Sequence, residues 1–183
     1  STFKVMKKLG LEEVWNRDSI VGMEGWNVRV EVAIAAREES EWKQRMKKKP
    51  MLRNYVKMKQ ELKYEEYLNL KGSRRDKINM IELRGGMNTL RINTDRREGI
   101  RVEDRWCRCC GEVEDEKHFM LECYEYRIER EKMMLELSDL CGVGNSIREK
   151  AEGSDEKMMD MLIGRGMGDD YEKGMSIVQS YVR

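Results

Sequence analysis

Scarcity frames this chain: its 183 residues include one proline, one histidine and two phenylalanines. The lone Pro50 leaves long stretches without an imposed helix break, and the abundance of Glu, Lys, Arg, Met and Leu favours helices within them. No apolar run reaches 18 residues, so no membrane-spanning helix is expected. No signal-peptide pattern is read at the start. Five cysteines is an odd count, which argues against a closed disulfide framework. Four of the five cluster with the only histidine, a pattern that suits metal binding in a reducing compartment, nuclear or cytoplasmic. At 39% hydrophobic and 39% charged residues, the core is expected to be modest.

Net charge is +1, but the sum conceals two halves. Residues 1–100 carry 23 basic and 15 acidic side chains, whereas residues 101–183 carry 13 and 20. Positions 43–63 hold nine basic residues against the single acid Glu61. Such a block is a candidate footprint for phosphates.

Periodicity predicts a mainly α fold with a small embedded metal module, with one short hairpin around the cysteines as an option. A short helix is expected over 2–15, interrupted at Gly10, followed by a loop over 16–25. Trp26, Val30, Ala33, Ile34, Trp42 and Met46 recur at helical spacing until Pro50 stops them. Further helices are expected over 51–62, around 64–70, and over 74–84, the last capped by Ser73, facing Ile78, Ile81 and Leu83 inward and ended by Gly85 and Gly86. Leu90 and Ile92 alternate with Arg91 and Asn93, which suits a short strand or an extended loop. Helices are then expected over 124–140, with Ile128, Met133, Met134, Leu135 and Leu137 apolar, and over 154–163 and 169–182. Three regions follow: a basic helical region 1–86, an arginine-rich segment with the metal module 87–126, and C-terminal helices 127–183, expected to pack with the rest as one domain.

The module reads Cys107-x2-Cys110-x7-His118-x4-Cys123. Three thiolates and an imidazole are what a closed tetrahedral zinc site needs. The x2 turn aims two thiolates at one point, and Gly111 relaxes the backbone beyond it. Cys107-x-Cys109 is an alternative first pair. With four protein ligands the metal keeps no open position, so a structural rather than catalytic ion is expected. The sole histidine is thereby committed, and the carboxylates show no acid-pair or metal-ligand spacing. No enzyme activity is expected.

The stretch from Cys107 through Cys123 to Tyr126 resembles the Cys-Cys-His-Cys module near the C-terminus of reverse transcriptases from non-LTR (LINE-type) retrotransposons. Met80-Ile-Glu-Leu-Arg84-Gly-Gly86-Met-Asn-Thr-Leu90-Arg-Ile92 is similar to the arginine-glycine-leucine stretch that precedes it in that family. Leu52-Arg-Asn-Tyr55-Val-Lys57 and Glu66-Tyr67-Leu68 resemble upstream signatures. The resemblance implies that Cys107, Cys110, His118 and Cys123 hold zinc in a zinc knuckle that helps bind RNA or DNA. The polymerase palm does not carry over: Met167-Gly168-Asp169-Asp170 lacks flanking apolar strands and lies downstream of the module. Gly164, Gly166 and Gly168 suit a helix connection better than a phosphate loop.

Two functional readings follow. In the first, the chain is a zinc-stabilised nucleic-acid-binding accessory domain, for RNA or single-stranded DNA, partnered with the rest of a reverse transcriptase or derived from one. Lys43, Arg45, Lys47, Lys48, Lys49, Arg53, Lys57 and Lys59 would meet phosphates. Arg91, Arg96, Arg97, Arg101, Arg105 and Arg108 would form a second strip, and Trp106, Tyr124 and Tyr126 would stack on bases. In the second, the chain is a helical interaction or scaffold module with a purely structural zinc, its 15 methionines supplying adaptable surface.

Overall fold

The computed structural model describes residues 2–12, 23–142, 146–164 and 168–182. Residues 1–49 and 50–183 form two compact units. In the first unit, helix α1 (Thr2–Lys8) ends before Gly10, whose φ of +67° turns the chain into the left-handed region. Helix α2 (Met23–Lys47) is 25 residues long. Its start takes in positions 23–25 of the expected loop, while 16–22 lie outside the described residues. Along α2, Arg37–Glu41 and Lys43–Glu39 pair one turn apart, each at 2.7 Å. Met46 is buried and Trp26, Val30, Ala33 and Trp42 are half-buried, but Val28, Val32 and Ile34 are exposed.

The second unit carries the site. It opens with a 3-10 turn (Pro50–Leu52) and helix α3 (Arg53–Met58), followed by a 3-10 turn (Glu66–Asn69) and helix α4 (Arg74–Gly85). Helix α5 (Arg91–Arg97), a 3-10 turn (Val102–Asp104) and a π turn (His118–Glu122) follow. The rest is helix α6 (Arg127–Leu140), α7 (Ile147–Lys150), α8 (Asp155–Met159) continuing into a π turn (Asp160–Gly164), a 3-10 turn (Gly168–Asp170) and α9 (Tyr171–Val182). Among the described residues there is no named strand, only one antiparallel bridge between Trp106 and Val113. The mainly helical class is therefore as expected, and the hairpin reduces to that bridge.

Helix α9 packs against α6 and α4. At 12 residues it is marginal as an isolated helix, so burial holds it. Met175 and Val178 enter a core with Met80 and Leu83 of α4, Met133 and Leu137 of α6, and Leu162 and Ile163 of the π turn. Each such side chain contributes about 1.5–3 kcal/mol on burial. Many of the methionines thus fill the core, where an unbranched thioether suits the irregular gaps between short helices. Arg84 is buried too, with its guanidinium 4.7 Å from the Tyr67 ring centre and bonds of 3.1 Å to Glu65 and to the Gly164 carbonyl.

Local signals formed as read at α4. Ser73 and Asp76 make a reciprocal capping box, and Gly86 closes the helix at φ +63°. Two expectations are corrected and two are met in part. The helix over 51–62 stops at Met58, where Lys59 turns extended and Gln60 folds back onto the carbonyls of Val56 and Lys57. Leu90–Ile92 is no strand: Asn88 Oδ1 accepts the Leu90 N–H at 3.1 Å, and the turn launches α5. In α4 the buried apolar positions are Met80 and Leu83, with Ile78 and Ile81 half-buried. In α6, Met133 and Leu137 face the core while Ile128 and Leu135 point to solvent. Helix α7, capped by a Ser146–Glu149 box, was not anticipated.

Candidate metal centre

The knuckle is built by backbone first. Cys107 N–H donates to Glu112 O at 2.7 Å, and Gly111 N–H donates to Cys107 O at 2.9 Å, closing a tight turn. Gly111 supplies the φ of +74° this turn requires. The two cysteines therefore point one way. The other two residues, His118 and Cys123, are five positions apart, a spacing that an α-helix would splay around its axis. The chain solves this with the π turn, in which Cys123 N–H donates to His118 O at 2.7 Å. Asp115 Oδ1 starts that turn by accepting the His118 N–H at 2.8 Å.

The four donor atoms of Cys107, Cys110, His118 and Cys123 lie within 4.8 Å of one another. Cys123 Sγ is 3.8 Å from Cys107 Sγ and 3.7 Å from Cys110 Sγ, well beyond a disulfide bond of about 2.05 Å. His118 is 3% exposed, and among the described residues neither ring nitrogen has a hydrogen-bond partner. Glu122 Oε2, the nearest carboxylate oxygen to Nδ1, is 3.7 Å away, too far to bond. A buried imidazole without partners is costly, and ligation removes that cost at the nitrogen that binds the metal. This Cys3His cluster can hold a metal ion. Burial pushes the Cys123 thiol up to about 12, so at neutral pH it becomes a thiolate ligand only with a cation beside it. The Tyr124 N–H, 3.4 Å from Cys110 Sγ, instead pulls Cys110 down. Cys109 is exposed and stands outside the cluster, so Cys110 is the partner of Cys107.

Two sets of contacts dock the knuckle on the helices. On one side Tyr181 Oη donates to Phe119 O at 2.9 Å, and Arg130 Nη1 donates to Cys123 O at 2.7 Å. Phe119 packs edge-on to Tyr126, with ring centres 4.8 Å apart. On the other side lies Glu116, only 1% exposed. Its Oε2 accepts from Arg53 Nη2 and, at 2.9 Å, from Asn54. Its Oε1 accepts from Asn88 at 3.3 Å and Asn93 at 3.1 Å. Sequence reasoning missed this hub, because Glu116 reads as one of several acids before a helix; only its companions Asn54, Asn88 and Asn93, three amides in a charged chain, hinted at buried polarity.

The basic candidates separate by environment. Arg45, Lys47, Lys48 and Lys49 are exposed and Lys43 half-buried in the first unit. In the second, Lys57, Arg97 and Arg108 are exposed, and Arg53 and Arg96 are half-buried. Lys59 is paired with Glu65 at 3.2 Å, Arg91 with Asp95 at 3.1 Å and Arg101 with Asp104 at 2.8 Å. Arg105 is a correction: it is 8% exposed, and Ile92 O and Ile100 O take its guanidinium, which removes it from external phosphates. Trp106 and Tyr124 are exposed, whereas Tyr126 packs on Phe119. Gly168 and Asp170 bound a 3-10 turn ahead of α9, and Met167 and Gly166 lie outside the described residues. Gly164 is buried, and a Cβ there would strike Asp160, so packing explains it. Among the described residues no helix is long and apolar enough to cross a membrane. No protein-family model, curated protein or solved structure matches the chain.

Proposed function

We propose that the chain is a zinc-stabilised accessory domain that binds RNA or single-stranded DNA, belonging to or derived from a non-LTR retrotransposon reverse transcriptase and lacking its polymerase site. Zinc is favoured by a donor set of three soft thiolates and an imidazole. A tetrahedron with metal–sulfur bonds of about 2.3 Å has edges of about 3.8 Å, close to the sulfur separations here. Four protein donors leave no position for substrate, which supports a structural role and no catalysis at the metal.

The observation that carries the reading is the pair of exposed aromatic rings beside the cluster. Trp106 is 55% exposed and precedes ligand Cys107; Tyr124 is 68% exposed and follows ligand Cys123. The Tyr124 backbone is tied to Cys110, and Arg127 lies 5.4 Å from its ring centre. Exposed aromatics on a rigid knuckle, with Arg108 between the cysteines, suit stacking on unpaired bases, worth about 1–3 kcal/mol per base.

The test is an anisotropy titration of the chain against RNA, single-stranded DNA and duplex DNA at two salt concentrations. Affinity for a single strand should fall steeply with salt. It should also drop on Trp106→Ala and on changing Lys47, Lys48 and Lys49 to glutamate. Salt-independent binding, or indifference to these changes, rejects the reading.

A scaffold role is the second reading, favoured by Ile128 and Leu135, which are 72% and 66% exposed and seven positions apart on α6. A defined oligomer in light scattering that Leu135→Glu dissolves would support it instead.

A further inference from the structure

We propose that Arg53 and Arg96 form a preorganised seat for one phosphate group of a nucleic-acid backbone, an assignment that rests on the nucleic-acid reading above. The seat is organised by Asn93, which is fully buried. Its Nδ2 donates to Glu116 Oε1 at 3.1 Å and to Asn88 Oδ1 at 2.8 Å, which fixes the amide's orientation. Its Oδ1 therefore faces the arginines, accepting from Arg53 Nη1 at 3.2 Å and from Arg96 Nη1 at 3.5 Å. Two guanidiniums are thus gathered around one neutral oxygen.

Among the described residues no carboxylate forms an ion pair with Arg96. Glu116 answers Arg53, and Asp95, beside Arg96 in sequence, is taken by Arg91 and Thr94. Arg105 adds a buried cation that, among the described residues, hydrogen-bonds only to carbonyls. Burial, then repulsion from Arg53, Arg105 and Arg97, lowers the pKa of Arg96. Two guanidiniums gathered at one neutral oxygen, with one carboxylate beside them, leave net positive charge at this spot. An external dianion or diester supplies the missing charge, and two arginine forks match its oxygens in geometry. Arg53 is 31% exposed and Arg96 half-buried, so both keep N–H groups facing solvent. Because Asn93 and Glu116 already hold the side chains, little rotamer freedom is lost on binding.

The test uses the full chain, zinc-loaded. Arg96→Gln should weaken binding of a single-stranded oligonucleotide by about tenfold and lower the log–log salt slope by about one. Arg96→Lys should recover less than half of the loss, since a point charge lacks the fork. Lys132→Gln, at an exposed position on α6, should change affinity by less than about twofold. In parallel, the arginine Nε–Hε resonances of the wild-type chain are followed in inorganic phosphate against chloride. Phosphate-specific shifts at Arg53 and Arg96 are expected, and this arm also decides the matter if Arg96→Gln fails to fold. Tight oligonucleotide binding that Arg96→Gln leaves no weaker than Lys132→Gln does, with no phosphate shifts, overturns the seat alone. Phosphate shifts without oligonucleotide binding would instead overturn the nucleic-acid reading and leave a site for free phosphate.

Discussion

Glu116 and Arg53 meet inside the second unit although 63 positions separate them. The carboxylate is buried, the Arg53 side chain is 31% exposed, and the contact ties the loop that carries the Cys3His cluster to the start of α3. Removing the carboxylate strands four donors at once. Glu116→Ala should cost about 3 kcal/mol in urea unfolding. Glu116→Gln should cost about 2 kcal/mol, because its amide nitrogen sets a donor against donors. Glu112→Gln, at an exposed position, should stay within about 0.5 kcal/mol.

Metal content separates the adjacent cysteines. Cys109→Ser should keep one equivalent of zinc per chain, since Cys109 lies outside the cluster. Cys110→Ser should lower affinity by more than the roughly 10–100-fold typical of an outer-shell change. Competition against a chromogenic chelator reads both. In the wild-type chain, chelation should loosen residues 100–130 in hydrogen exchange while α4 and α9 stay protected, because their Met80, Leu83, Met175 and Val178 pack without the metal.

Alkaline stability follows from buried tyrosines. Burial raises Tyr55, Tyr126 and Tyr171, and it raises both Tyr67 and Tyr181 to about 12. A phenol whose folded pKa lies above its unfolded value near 10 stabilises the fold fully below that value and loses its contribution as pH rises through the folded pKa. Stability should therefore hold up to about pH 10 and decline between pH 10 and 12, measured by circular dichroism alongside tyrosinate absorbance. Tyr181→Phe should cost about 1 kcal/mol at neutral pH, for the bond to Phe119 O, and should make the alkaline decline shallower.

Two left-handed glycines should respond differently to alanine. At Gly86 a Cβ would lie against the Met51 carbonyl, so Gly86→Ala adds a backbone clash to the conformational cost and should destabilise by about 2–4 kcal/mol. At Gly111 nothing lies within 4 Å, so Gly111→Ala should cost about 1–2 kcal/mol. Thermal melts at constant zinc would show the difference.

Much of this architecture is legible without coordinates. The Cys107-x2-Cys110 turn, the Ser73–Asp76 box, the Gly86 stop and the end of α2 before Pro50 each depend on backbone geometry within a few residues. Residue order alone therefore specifies the helical class and the candidate metal ligands. The x2 spacing favours Cys110 over Cys109 without excluding Cys109, because either spacing closes a turn. Only the tertiary structure put Cys110 in the cluster, and only it supplied the π turn that returns Cys123 to His118. Distant convergence decided the rest. Arg96 and Arg105 look alike in sequence, yet one reaches solvent beside Arg53 and the other is consumed by two carbonyls. Glu116 became a hub because α3, the turn after α4 and the start of α5 bring Arg53, Asn54, Asn88 and Asn93 to one carboxylate. Capping, turns and ligand spacing are short-range and readable along the chain; burial and charge balance depend on which remote segments meet, and that is a property of the packed fold.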